Sequence, residues 1–125
     1  MTRAEKAVDL KRNGYNCAQS VLCAFSDEIG LDEETLKKLG AAFCVGMGSM
    51  EGTCGALCAA EMILGLKKFE GRAVIRESRD LLNEFKAKAG ATACRDLKGV
   101  DTGKVLCPCN ECVRIAAELA EKIQS

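Results

Sequence analysis

Histidine and tryptophan are absent from the chain, and proline occurs once, at Pro108. Without histidine there is no imidazole general base, no Ser-His or Cys-His pair, no His-ligated zinc and no His-ligated haem. Net charge is missing too. Eighteen Lys and Arg balance eighteen Asp and Glu, which removes the basic field that nucleic acid or an anionic lipid surface would need. Long apolar runs are also lacking. The most apolar stretch, Cys54 to Leu66, is 13 residues long and contains Glu61, against the roughly 20 residues needed to span a membrane. The opening stretch MTRAEKAVDLKRNG is charged and has no apolar centre, so it does not read as a secretory signal.

What is present is sulfur. Nine of 125 residues are cysteine, roughly 7% and just under the level that suggests a disulfide scaffold. The odd count leaves one thiol over. With 48% hydrophobic residues, a chain of this length forms one domain whose core needs no staples. A cytoplasmic protein with metal-binding or redox-active thiols is the expected class.

Helical periodicity recurs along the chain and strand-like alternation almost nowhere. A first helix is expected over about Arg3 to Arg12, stopped by Gly14. Asn16 caps a second, with Ala18, Val21, Leu22, Phe25 and Ile29 on one face. Asp32 caps a third, with Glu33 and Glu34 in its positive first turn and Leu36, Leu39 and Phe43 inward. A glycine-rich loop from Gly46 to Gly52 follows. Thr53 caps a fourth helix reaching Lys68, apolar except at Glu61 and therefore the buried centre. A fifth spans about Arg72 to Ala89, with Ile75, Ser78, Leu82, Phe85 and Ala89 in heptad fashion, and Gly90 ends it. Ala91 to Pro108 reads as irregular. A last helix begins near Asn110 and sets Cys112, Ala116, Leu119 and Ile123 on one face. The fold class is all-α, a compact single domain of five or six helices.

On these helices the thiols fall into two groups. Cys17, Cys54, Cys94 and Cys112 each lie within two residues of a predicted helix start, where unpaired backbone amides and the helix dipole favour thiolate. Cys23, Cys44, Cys58, Cys107 and Cys109 do not. Cys23 and Cys44 read as small buried hydrophobes, and Cys58 shares a helix face with Cys54. The run Cys107-Pro108-Cys109-Asn110-Glu111-Cys112 contains the C-x-x-C used by zinc and iron–sulfur sites. It has no second C-x-x-C at a set distance, so the thiols must be gathered by packing. Cys107 and Cys109, in the irregular segment, are expected to be more exposed than Cys112 and to react first with alkylating reagents. Gly46, Gly48 and Gly52 fit a close backbone turn better than a phosphate cradle. Glu61 and Arg95 read as solvated.

Gly14-Tyr15-Asn16-Cys17-Ala18-Gln19-Ser20-Val21-Leu22, the glycine-rich loop into Cys54-Gly55-Ala56, and Met62-Ile63-Leu64-Gly65-Leu66 resemble the C_GCAxxG_C_C family of redox proteins. Cys94-Arg95-Asp96-Leu97 and Cys112 match its two later cysteines. The resemblance covers nearly the whole chain. It implies a small helical domain whose four signature cysteines are Cys17, Cys54, Cys94 and Cys112, similar to the iron–sulfur part of split-Soret cytochrome c. The haem of that protein needs histidine and does not carry over. Ala59 stands where the signature's last glycine is usual, Cys44-Val45 replaces a stretch that is often glycine, and Cys58, Cys107 and Cys109 are additional.

Two function classes stay open at this point, with a third behind them. One is an iron–sulfur protein holding its cluster through Cys17, Cys54, Cys94 and Cys112, serving electron transfer with a redox partner protein rather than acting as a stand-alone enzyme. Another is a metal-free thiol–disulfide protein or sensor. The third is a structural zinc ion held by the same four cysteines, serving only the fold. No membrane or nucleic-acid partner is expected, and a homodimer is left open.

Overall fold

A computed structural model describes residues 1–123, and among these every regular element is helical. The order is α1 (Arg3–Arg12), α2 (Cys17–Ala24), α3 (Ser26–Ile29), α4 (Glu33–Gly40), α5 (Gly55–Lys68), α6 (Ile75–Ala89), α7 (Cys94–Lys98) and α8 (Cys109–Glu121). The all-helical class is as expected, with eight helices described where five or six were counted. Two short helices account for the difference. The expected second helix breaks at Phe25, which turns the chain into α3. The segment expected to be irregular contains α7, one turn and a half long.

Local chemistry explains where the elements start. Thr2 and Glu5 form a reciprocal capping box on α1, and Asn16 and Gln19 do the same on α2, with Gln19 N–H donating to Asn16 Oδ1 at 2.8 Å. The same two side chains reach α4: Asn16 Nδ2 donates to the Gly40 carbonyl at 3.0 Å and Gln19 Nε2 to the Lys37 carbonyl at 2.9 Å. The start of α2 is thereby fixed against the end of α4. Helix α6 begins at Ile75, three residues later than the pattern suggested.

The core forms around α5, whose Ala56, Leu57, Ala59, Ala60 and Ile63 are fully buried. Helices α2 and α8 pack on α5, α1 packs on α8 and α2, and α6 covers the α5–α8 side. Alanines at Ala59 and Ala60 of α5 and at Ala116, Ala117 and Ala120 of α8 keep these axes close. Some expected core positions are corrected. Leu39 and Ile75 are exposed, and α6 buries Leu81, Phe85 and Ala89 instead of a heptad seam starting at Ile75. Glu61 is half-buried rather than solvated, and burial raises its carboxyl despite a hydrogen bond from Ser78. Among the described residues no helix is long and apolar enough to cross a membrane.

Candidate functional site

The two segments that lead into α5 and α7 lie side by side. Thr53 and Ala93 form an isolated antiparallel bridge, and Cys54 N–H donates to the Thr92 carbonyl at 2.8 Å. This pairing sets Cys54, the N-cap of α5, next to Cys94, the first residue of α7. The glycine-rich loop closes over both. Cys94 N–H donates to the Gly52 carbonyl at 2.9 Å and Arg95 N–H to the Met50 carbonyl at 2.6 Å. A Cβ at Gly46 would stand 2.7 Å from Cys94 Cβ, so only glycine lets the loop approach. The loop is strained as well, since Val45, Met47 and Met50 all take positive φ, between 52° and 67°, and a β-branched residue there is a true outlier.

The end of α7 is tied to the start of α8. Both Leu106 and Cys107 donate their N–H to the Leu97 carbonyl, at 3.0 and 3.2 Å. Pro108 is the N-cap of α8, and Cys109 is its first residue. Across from it stands Cys17, the first residue of α2.

Cys17, Cys54, Cys94 and Cys109 therefore all line one cavity of about 330 Å³, three as the first residue of a helix and Cys54 as an N-cap. Phe43, Val45 and Met50 give it apolar walls, Cys44 adds a fifth thiol, and Lys11 and Lys98 are the charged groups on its lining. Lys98 lies four residues after Cys94, on the same side of α7.

Cys112 is not in this wall. It lies in the fourth position of α8, fully buried, with its thiol 3.5 Å from the Cys107 carbonyl and within interaction range of the thiols of Cys54 and Cys107. The structure thus brings three of the four expected thiols, Cys17, Cys54 and Cys94, to the cavity, and sets the fourth behind Cys54. Cys107 corrects an expectation: it is 3% exposed, not surface-accessible, because its backbone is tied to Leu97 and its thiol faces α8. Cys109 is half-buried and remains more exposed than Cys112. Cys23 is buried as expected, while Cys44 is half-buried in the loop. Cys58 points back along its own helix, 3.8 Å from the Thr53 carbonyl.

The electrostatics separate the thiols further. Cys109 is lowered to about 5 by its hydrogen bond with Cys17 and by Lys98, against the effect of burial. Cys17 is pushed up, first by that same bond and then by burial. Cys54 is lowered to about 7, chiefly through Cys112 and also through the amides of Ala56 and Leu57 at the start of α5. Cys112 is pushed up by Cys54 and by burial, and Cys94 and Cys107 by burial first. Burial pulls the Lys98 ammonium down, but its hydrogen bond to Cys109 and the nearby thiols more than offset this.

A depressed thiol keeps its thiolate as pH falls towards its own pKa. In the metal-free protein, Cys109 should be alkylated ahead of Cys107 and Cys112, and its rate should hold from pH 8 down to about pH 6, where an ordinary thiol slows about tenfold per unit. Peptide mapping over a pH series checks this; equal rates at Cys107 and Cys109 would contradict the geometry.

Sequence reasoning missed Cys109, Lys98, Lys11 and Cys44. A usable signal existed for Cys109: Pro108 immediately before it favours a helix starting there rather than at Asn110. No comparable signal marked Lys98. Among the described residues no group of three or more Cys, Asp or Glu side chains is gathered to hold a metal ion. The donor chemistry nonetheless suits an iron–sulfur group, with four thiols facing a space about ten times one water's share of liquid volume.

A family model described as "Putative redox-active protein (C_GCAxxG_C_C)" matches residues 15–123. No curated protein and no solved structure matches the chain.

Proposed function

Because the chain belongs to the C_GCAxxG_C_C family of redox-active proteins, we propose that its cavity holds an iron–sulfur cluster through Cys17, Cys54, Cys94 and Cys109, and that it transfers electrons to a partner protein. The observation supporting this reading is that four cysteines, from four separate helix starts, line one apolar-walled cavity. The proposal seats Cys109 where the sequence pointed to Cys112, since Cys109 lines the cavity and Cys112 lies behind it.

When bound, the cluster would supply one-electron oxidation and reduction. The protein's own groups would do the rest. Amides at the starts of α2, α5 and α8 offset negative charge on the thiolates. Lys98 and Lys11 add positive charge on the same wall. The loop carrying Val45, Gly46 and Met50 would cover one side of the group, and Phe43 lowers the local polarity.

A second reading has its own support. Cys17 and Cys109 line the same cavity with interacting thiols, and Lys98 favours the Cys109 thiolate, which is the arrangement of a reactive dithiol. Purification without air followed by a visible spectrum and iron and sulfide analysis separates the two. Brown protein containing iron and acid-labile sulfide is the expected result. Colourless protein that takes up neither on reconstitution, yet cycles a Cys17–Cys109 disulfide, would replace the cluster by the dithiol. Colourless protein carrying stoichiometric zinc would overturn both.

A further inference from the structure

Cys112 and Cys107 are buried nucleophiles that the cavity does not use. They are reached from it through one residue, because Cys54 lines the cavity and shares with Cys112 and Cys107 the buried cluster where α8 packs on α5, within interaction range of the Cys112 thiol. Among the four proposed ligand thiols this position is particular to Cys54. Cys17 and Cys109 face each other within the cavity, and the near sulfur of Cys94 is the thioether of Met50 at 3.8 Å, which cannot form a disulfide.

We propose that Cys54 and Cys112 form an oxidation switch: in the metal-free protein hydrogen peroxide entering the cavity oxidises Cys54, and Cys112 resolves it into a buried disulfide that withdraws Cys54 from the cavity. The consequence for the cofactor rests on the reading of Cys54 as a cluster ligand; the disulfide itself does not. In the first step the Cys54 sulfur attacks the peroxide, the O–O bond breaks, and Cys54 becomes a sulfenic acid with release of one water. In the second, the Cys112 sulfur attacks the Cys54 sulfur and the S–O bond breaks. The hydroxide leaves with the Cys112 proton as a second water. Two S–H bonds are exchanged for one S–S bond, two electrons pass to the peroxide, and hydrogen peroxide ends as two waters.

Burial suits each thiol to its part. Cys112 is 0% exposed and Cys54 4%, so a bulk oxidant meets Cys54 only through the cavity and Cys112 only through Cys54. A filled cavity would block the entry, which confines the switch to the metal-free protein.

The test uses the full chain, metal-free and reduced, treated with hydrogen peroxide in excess of the equivalent that the more exposed Cys17–Cys109 pair consumes, then denatured, alkylated and mapped. A Cys54–Cys112 disulfide is expected. In Cys112→Ser and Cys112→Ala, either of which serves if the other folds poorly, a dimedone adduct should accumulate on Cys54 at least tenfold over wild type. Mapping that leaves Cys112 fully alkylated in wild type, or pairs it with Cys107, would overturn the switch. A second arm offers iron and sulfide to reduced and to oxidised wild-type protein. Reduced protein that loads while oxidised protein loads at least tenfold less, with recovery after dithiothreitol, supports the switch in full. Equal loading of the two would overturn its effect on the cofactor. No loading of either form, with the disulfide mapped as expected, would remove the cluster reading and leave the switch as a property of the thiols.

Discussion

Serine at any one of Cys17, Cys54, Cys94 or Cys109 should lower iron content and melting temperature together, and a second serine should add almost nothing. The reason is linkage. A ligand that binds only the folded chain stabilises it by an amount set by its affinity, about 4 kcal/mol at a thousandfold excess over Kd. At roughly 4 °C per kcal/mol for a domain of this size, losing it would lower Tm on the order of 15 °C. Ligands to one group act as a unit, so the first loss carries most of the effect and the double variants are non-additive. The control is the metal-free protein, in which the same single serines should melt close to wild type. Cys23→Ser lies outside the cavity and should keep its iron. Retention of full iron by any two of the four single variants would remove the proposed ligand set.

The second large effect needs no cofactor. Gly55→Ala should destabilise the protein by about 3 kcal/mol or more, whereas Gly65→Ala in the same helix should stabilise it by about 0.5–1 kcal/mol. Gly55 opens α5 and Gly65 lies in its interior, and the sign is decided by what surrounds each. A Cβ at Gly55 would stand 2.2 Å from the Phe43 carbonyl oxygen, a backbone atom that cannot swing aside. Around Gly65 nothing lies within 4 Å. The clash at Gly55 would push the α4–α5 connection away from α5, and Phe43 is part of the cavity wall. Opposite shifts of the melting temperature check the pair; a neutral Gly55→Ala would mean that the connection yields freely.

Much of this molecule can be read from residue order alone, because the forces that set it are local. Apolar positions three and four residues apart mark α8, the nearly unbroken apolar run of α5 marks a buried helix, and Thr2 with Glu5 starts α1. Asn16 with Gln19 starts α2 through bonds within one turn, and Gly90 ends α6 in the left-handed conformation. The helix-start position of Cys17 follows from the same short-range chemistry. The boundary at α8 was missed by one residue only, yet that residue is Cys109, and a step of one position moves a side chain by about 100° around a helix.

What local chemistry could not decide is which thiols meet. Cys54 and Cys94 are forty residues apart in the chain and become neighbours only through the Thr53–Ala93 bridge and the loop that covers it. Cys109 faces Cys17, and Cys112 turns inward behind Cys54, because α8 is locked against α1 and α5 by its alanine face. Cys107 is buried for the same reason, its backbone bonded to Leu97. Residue order settled that the chain is helical and that its chemistry lies in sulfur. Long-range packing settled which sulfurs share a cavity and which stand behind it, since those contacts depend on the rotation of whole helices.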